Sequence, residues 1–173
     1  CGEGKILQSI RSEEIQKLVE EDQKDREGSW DSIDWEMVRL RDESRRKRIG
    51  EIFGEGCITT AEDYAASALI FQHGNVPDHF FQTFLWSKKA VDLGATQYKR
   101  LVALGADRYL VNTGKKQLFA TQASRGVNDT CFCLEPVEQS FTDEQRKLYN
   151  GNTIAEALSW VASLNADTTC GVP

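Results

Sequence analysis

The strongest constraint on the fold is a succession of helix-period stretches, each cut short by glycine or by a proline-containing turn. Ile15, Leu18 and Val19 recur at helical spacing among charged residues and predict a first helix over 12–26, interrupted by Gly28-Ser29-Trp30. Trp35, Val38, Ile49, Ile52 and Phe53 predict a second over about 32–53, ended by Gly54 and Gly56. Thr60, followed three residues later by Asp63, caps a third through Phe71, whose Ala-rich middle suits close packing. Asn75-Val76-Pro77 breaks and restarts the chain, with Pro77 in a first turn. Two further helices stop at Gly94 and Gly114, a period shared with helix pairs of the tetratricopeptide or Sel1 kind, but no second copy of such a unit occurs in the sequence and no repeat array is established. Beyond Gln122 the stretch 123–129 is polar and loop-like, 130–134 is a short β-prone run, and 142–149 and 153–164 predict two last helices. The expectation is a mainly α, single compact helical domain over 12–165, with a flexible N-terminal segment, 1–11, and a C-terminal tail, 166–173.

Composition narrows the function classes. A formal net charge of −6 in 173 residues argues against a nucleic-acid binder. No stretch approaches the roughly 18 uninterrupted apolar residues of a membrane span. Five cysteines, Cys1, Cys57, Cys131, Cys133 and Cys170, are an odd number for a disulfide protein. A lipid on Cys1, as in a mature bacterial lipoprotein, would leave four to form two disulfides; the alternative is a free Cys1 in a protein secreted by another route. Either way the expected location is extracytoplasmic, with the membrane reached only through a lipid on Cys1. Cys131 and Cys133 face opposite ways in an extended run and lack the spacing of a zinc knuckle, so neither a metal nor a cofactor is called for. Asn128-Asp129-Thr130 is a glycosylation sequon only in a eukaryotic secretory setting. Arg45-Arg46-Lys47-Arg48, flanked by Asp42, Glu43 and Glu51, reads as a solvated, salt-bridged face.

The chemistry-bearing candidates are polar residues set within apolar helical stretches. Gln72-His73 follows Ala68-Leu69-Ile70-Phe71, and Asp107-Arg108 lies between Leu101-Val102-Ala103-Leu104 and Tyr109-Leu110-Val111. Such groups cost several kcal/mol to bury unless they satisfy one another. His73 is the candidate for proton transfer near neutral pH, His79 being expected in an exposed first turn. Asp107 is expected to orient the imidazole, Arg108 to hold a carboxylate or phosphate, and Gln72, Gln117 and Gln122 to read a polar ligand. Asp22 and Arg26, one helical turn apart, and Asp42 are candidates to close the cluster. Adjacent helical residues diverge by about 100°, so Asp107 and Arg108 need not serve one site, and neither need Gln72 and His73.

These residues occur in an order that resembles a family of bacterial domains of uncharacterised function. The carriers are Asp22-Gln23-x-x-Arg26, Asp42, Phe71-Gln72-His73-Gly74 with Phe81-Gln82, Asp107-Arg108-x-Leu110, and Gly114-x-x-Gln117-x-x-Ala120-Thr121-Gln122. Leu134-Glu135-Pro136 and Asp143-Glu144-Gln145-Arg146 extend it, so it covers about residues 15–160. The chain departs from the pattern at Ala120, where the family has glycine; if that glycine permits close approach to a ligand, Ala120 narrows the site. The resemblance implies a site rather than a reaction. The expected function is an acid–base enzyme, hydrolase-like, in which His73 and Asp107 act on a small polar or anionic ligand. The alternative is a non-catalytic helical module at the cell surface that binds a protein or glycan and uses the same residues as structural glue.

Overall fold

In the computed structural model, residues 1, 5–126 and 129–166 are described. Seven α-helices dominate them: α1 Lys5–Lys24, α2 Trp35–Gly54, α3 Ala61–Gln72, α4 Pro77–Asp92, α5 Lys99–Asn112, α6 Asp143–Lys147 and α7 Ile154–Leu164. A two-residue antiparallel ribbon joins β1 Ala123–Ser124 to β2 Cys133–Leu134, with Ala123 opposite Leu134 and Ser124 opposite Cys133. The chain is therefore a mainly α domain, as its periodicity implies. Among the described residues no helix is long and apolar enough to cross a membrane.

Local signals set most helix starts. Thr60 and Asp63 form a reciprocal capping box at the head of α3, and Thr142 with Gln145 and Thr153 with Glu156 repeat it at α6 and α7. Asp34 caps α2 by accepting from the Met37 amide, so that helix starts at Trp35 rather than near Ser32. Thr96–Tyr98 form a 3-10 turn before α5, a tighter start than the continuous helix expected from Thr96. The first helix begins at Lys5, so much of the segment 1–11, expected to be flexible, is helical.

Packing centres on α3. Its small residues Ala65, Ala66 and Ala68 are buried and let α1, α4 and α5 approach it. Ile15, Ile49, Ile52, Ile58, Ile70, Trp86 and Leu101 form the main core around it. The α4–α5 contact is closer still: a Cβ on Gly105 would lie 2.8 Å from the Phe84 backbone nitrogen and 2.9 Å from Thr83 Cγ2. One end of the core is tied by a disulfide between Cys1 and Cys57, Cα atoms 4.8 Å apart.

That disulfide corrects the expected cysteine roles. The Cys1 sulfur that a lipid thioether would need is engaged with Cys57, and the two modifications exclude each other. Cys131 is disulfide-bonded as well, and among the described residues Cys133 is a free, exposed thiol. The turn through Gly56, at φ +68°, brings Cys57 round to Cys1. Cys170, most of the tail 166–173 and Asn128 of the sequon lie outside the described residues.

Candidate functional site

Three helices bring some of the sequence candidates to one place. Asp22 comes from the last turns of α1, Asp42 from the middle of α2, and His73 from the C-terminus of α3; Arg26 follows α1. Both oxygens of Asp22, which is fully buried, lie near His73 Nδ1, at 3.0 and 2.9 Å. A carboxylate at Nδ1 selects the tautomer with the proton there, leaving Nε2 as the free base. Among the described residues Nε2 has no hydrogen-bond partner, and the ring lines a cleft. Arg26 donates to Asp22 Oδ1 at 2.9 Å and to Asp42 Oδ2 at 2.6 Å, bridging the two acids. Burial alone would raise the Asp22 carboxyl; the hydrogen bond and charge of His73, with Arg26 and Gln23, more than offset it and hold it below the ordinary aspartate range.

Asp107 is not part of this group. Its carboxylate accepts from the backbone amides of Leu118 at 2.8 Å, Phe119 at 2.9 Å and Thr121 at 3.0 Å, and from the Thr121 hydroxyl at 2.8 Å. Burial pushes this carboxyl up, and the amides oppose the push. The expectation that Asp107 orients His73 is therefore corrected: Asp22 does so, and Asp107 anchors the 118–121 loop. Gln117 is likewise internal. Its side chain donates to the Gln122 and Glu135 carbonyls and accepts from the Gln122 amide, stitching that loop to residues 135–138. The loop passes through Ala120 at φ +54°, a left-handed conformation natural to glycine. Ala120 is fully buried against Val137 and Ala157, so its substitution bears on loop strain and does not narrow the cleft.

Arg108 does reach the site. It donates to the Gln72 carbonyl at 2.6 Å, and its Nε lies 3.4 Å from Gln122 Oε1. Arg46 donates to the next carbonyl, that of His73, at 3.0 Å. The two cations thus clasp the C-terminal end of α3, where helix carbonyls lack partners and the dipole is negative. Gln72 itself is buried, and its side-chain oxygen has no partner among the described residues. It does not line the cleft.

The cleft, about 380 Å³, is walled by Arg26, Arg39, Asp42, Arg46, His73, Asn75 and Arg108, with Trp30, Trp35 and Val38 on one side. Of the four arginines only Arg26 pairs with a carboxylate; among the described residues none lies within 4.0 Å of Arg39, Arg46 or Arg108. Asp42 is neutralised twice over, by Arg26 and by Arg45 at 3.1 Å. Burial lowers the pKa of both Arg46 and Arg108; the charges of Asp42, Glu43 and Asp22 oppose the shift at Arg46, whereas burial acts alone at Arg108.

The solvated-face reading of the 45–48 run holds for Lys47, which is exposed, and for Arg48, which pairs with Glu14 and Glu51, and fails for Arg45 and Arg46. Arg45 and Arg46 are only 5% and 7% exposed. The missed signal is on the α2 wheel: Val38, Asp42, Arg45, Arg46, Ile49 and Ile52 share a stripe, so the charges lie on the buried face. Arg45 also pairs with Asp25, which Arg41 meets at 2.5 Å. Trp30 and Trp35 carried no distinguishing pattern in the sequence. His79, expected to be exposed, is partly buried edge-on against Phe71, and burial and Arg46 lower its pKa. No group of three or more metal-binding side chains is found among the described residues. The chain matches no family model, no curated protein and no solved structure.

Proposed function

We propose that the cleft is the catalytic centre of an extracytoplasmic acid–base enzyme acting on a small anion. The observation that carries this is the His73 ring, held by Asp22 behind it, standing in the wall of a cleft with three arginines that have no carboxylate partner among the described residues. Asp22 fixes the imidazole and balances the imidazolium that forms; Nε2 takes a proton from water, and the same proton passes to the departing group. Arg46 and Arg108 hold the anion and balance charge developing on it. Hydrolysis is the reaction class that such a set serves without further parts. The Cys1–Cys57 disulfide supports a location outside the cytoplasm. Asp22, Arg26, Asp42, His73 and Arg108 meeting at one cleft also support kinship with the bacterial domain family that the motifs resemble.

The test is a hydrolysis screen over small carboxylic and phosphoric esters, with His73→Ala measured beside the native chain. General acid–base catalysis predicts a loss of about 10²–10⁴-fold in turnover, far beyond what the modest fall in melting temperature from taking His73 away from buried Asp22 accounts for. Turnover unchanged in His73→Ala overturns the proposal. So does a screen without turnover in which His73→Ala mainly lowers the melting temperature; the residue is then structural, and the non-catalytic binding module is the correct reading.

A further inference from the structure

One wall of the cleft has a use that acid–base chemistry leaves unexplained. Trp30, in the 3-10 turn between α1 and α2, is 71% exposed although it is the largest type of apolar side chain. Its ring lies 4.2 Å from that of Trp35, inclined at 36°, and both line the cleft. The Trp35 indole N–H donates to the Trp30 carbonyl at 3.0 Å, which fixes the tilted pair and leaves most of the Trp30 ring open to solvent. Left open, such a surface gains by covering with another flat ring. In the same cleft stand Arg39, Arg46 and Arg108, fixed cations whose planar forks suit the oxygens of a phosphate. A ligand that satisfies both walls carries an anion at one end and a flat ring at the other, and about 380 Å³ matches a small-molecule site.

The geometry points to a phosphate monoester bearing an aromatic ring, a nucleoside monophosphate or an aryl phosphate, its phosphate on Arg46 and Arg108 and its ring against Trp30 and Trp35. This rests on the reading of the cleft as an anion site and narrows its substrate class. The ring covers indole surface that solvent otherwise wets, and the phosphate gives Arg46 and Arg108 the direct ion pair that no carboxylate among the described residues makes with them. The ester bond then lies between the two walls, in the cleft that the His73 ring also lines.

The test is a titration followed by tryptophan fluorescence, with adenosine monophosphate, phenyl phosphate, a sugar phosphate, inorganic phosphate and adenosine as probes. Stacking on an aromatic side chain predicts that a ring-bearing phosphate binds at least about tenfold more tightly than inorganic phosphate or the sugar phosphate. Trp30→Ala, at an exposed position, removes that difference while leaving inorganic phosphate binding unchanged. Preference for adenosine monophosphate over phenyl phosphate assigns the ring to a base, and equal binding of the two assigns it to a simple aryl group; both support the inference. Equal binding of ringed and ringless phosphates overturns it and leaves the anion site standing. A difference that survives Trp30→Ala also overturns it. Failure of every phosphate to bind removes both this inference and the anion site beneath it.

Discussion

Replacing Asp107 by alanine separates an anchor from a catalyst. The carboxylate is fully buried and receives three backbone amides, those of Leu118, Phe119 and Thr121, together with the Thr121 hydroxyl. With the carboxylate gone, three amides lose their acceptor. An unsatisfied buried donor costs about 1–3 kcal/mol, and the lower end applies where the loop relaxes and water enters the space left behind. Three at slightly above that lower end come to about 4 kcal/mol, a large share of the 5–15 kcal/mol typical of a domain. For a chain of this length 1 kcal/mol moves the melting temperature by about 2–4 °C, so Asp107→Ala is expected to melt about 8–16 °C lower. Asp107→Asn keeps one acceptor oxygen but turns an NH2 toward an amide, and falls between the two. Equilibrium unfolding in urea, followed by far-ultraviolet circular dichroism, measures the loss as a lowered midpoint at unchanged slope. A midpoint within about 1 kcal/mol of the native protein would refute the anchor and return Asp107 to the candidates for chemistry.

Acid should destabilise the protein through the α1–α2 charge cluster. Burial would raise Asp22 and Asp25, but His73 with Arg26, and Arg45 with Arg41, hold both folded-state carboxyls below the ordinary aspartate value of 3.8. The folded state then binds fewer protons, so their contribution is complete above that value and is lost as pH falls through the lower, folded-state values. Melting temperatures measured downward from neutral pH should fall there, and Asp22→Asn should flatten the fall; an equally steep fall in Asp22→Asn contradicts the assignment. Gly105→Ala should open the α4–α5 contact, because the new methyl meets the Phe84 backbone at 2.8 Å. Overpacking of about 1–3 kcal/mol exceeds the roughly 1 kcal/mol that alanine gains over glycine in a helix, so a lower melting temperature is expected and a higher one would show that the helices part freely.

Much of this was legible before any coordinates. Caps and stops are local: Thr60 with Asp63, Pro77 in a first turn and Gly94 closing α4 act over a few residues, and the helices formed where they predicted. Asp22, Arg26, Asp42, His73 and Arg108 all stood among the sequence candidates, His73 and Arg108 as polar groups in apolar stretches that are costly to bury alone, and the fold brings them close together. The partners themselves were not legible. Asp107 carries the same charge as Asp22 and lies in the more apolar stretch of the two, yet only Asp22, 51 residues before His73, reaches the ring. Arg45 and Arg46 look in the sequence like any solvated basic run, and became buried only because α2 turns that stripe inward.

What the sequence determined by itself was the set of helices, the ends that carry a cap or a glycine stop, and the list of polar groups that folding had to satisfy, since each follows from interactions within a turn or two of chain. Tertiary structure alone decided which acid meets His73, which arginines are left without a carboxylate, that the Cys1 sulfur goes to Cys57, and that two tryptophans face the same cleft. Those outcomes depend on how helix ends meet across the core. That relation is set by the summed packing of small residues on α3 and the close approach at Gly105, and no local pattern encodes it.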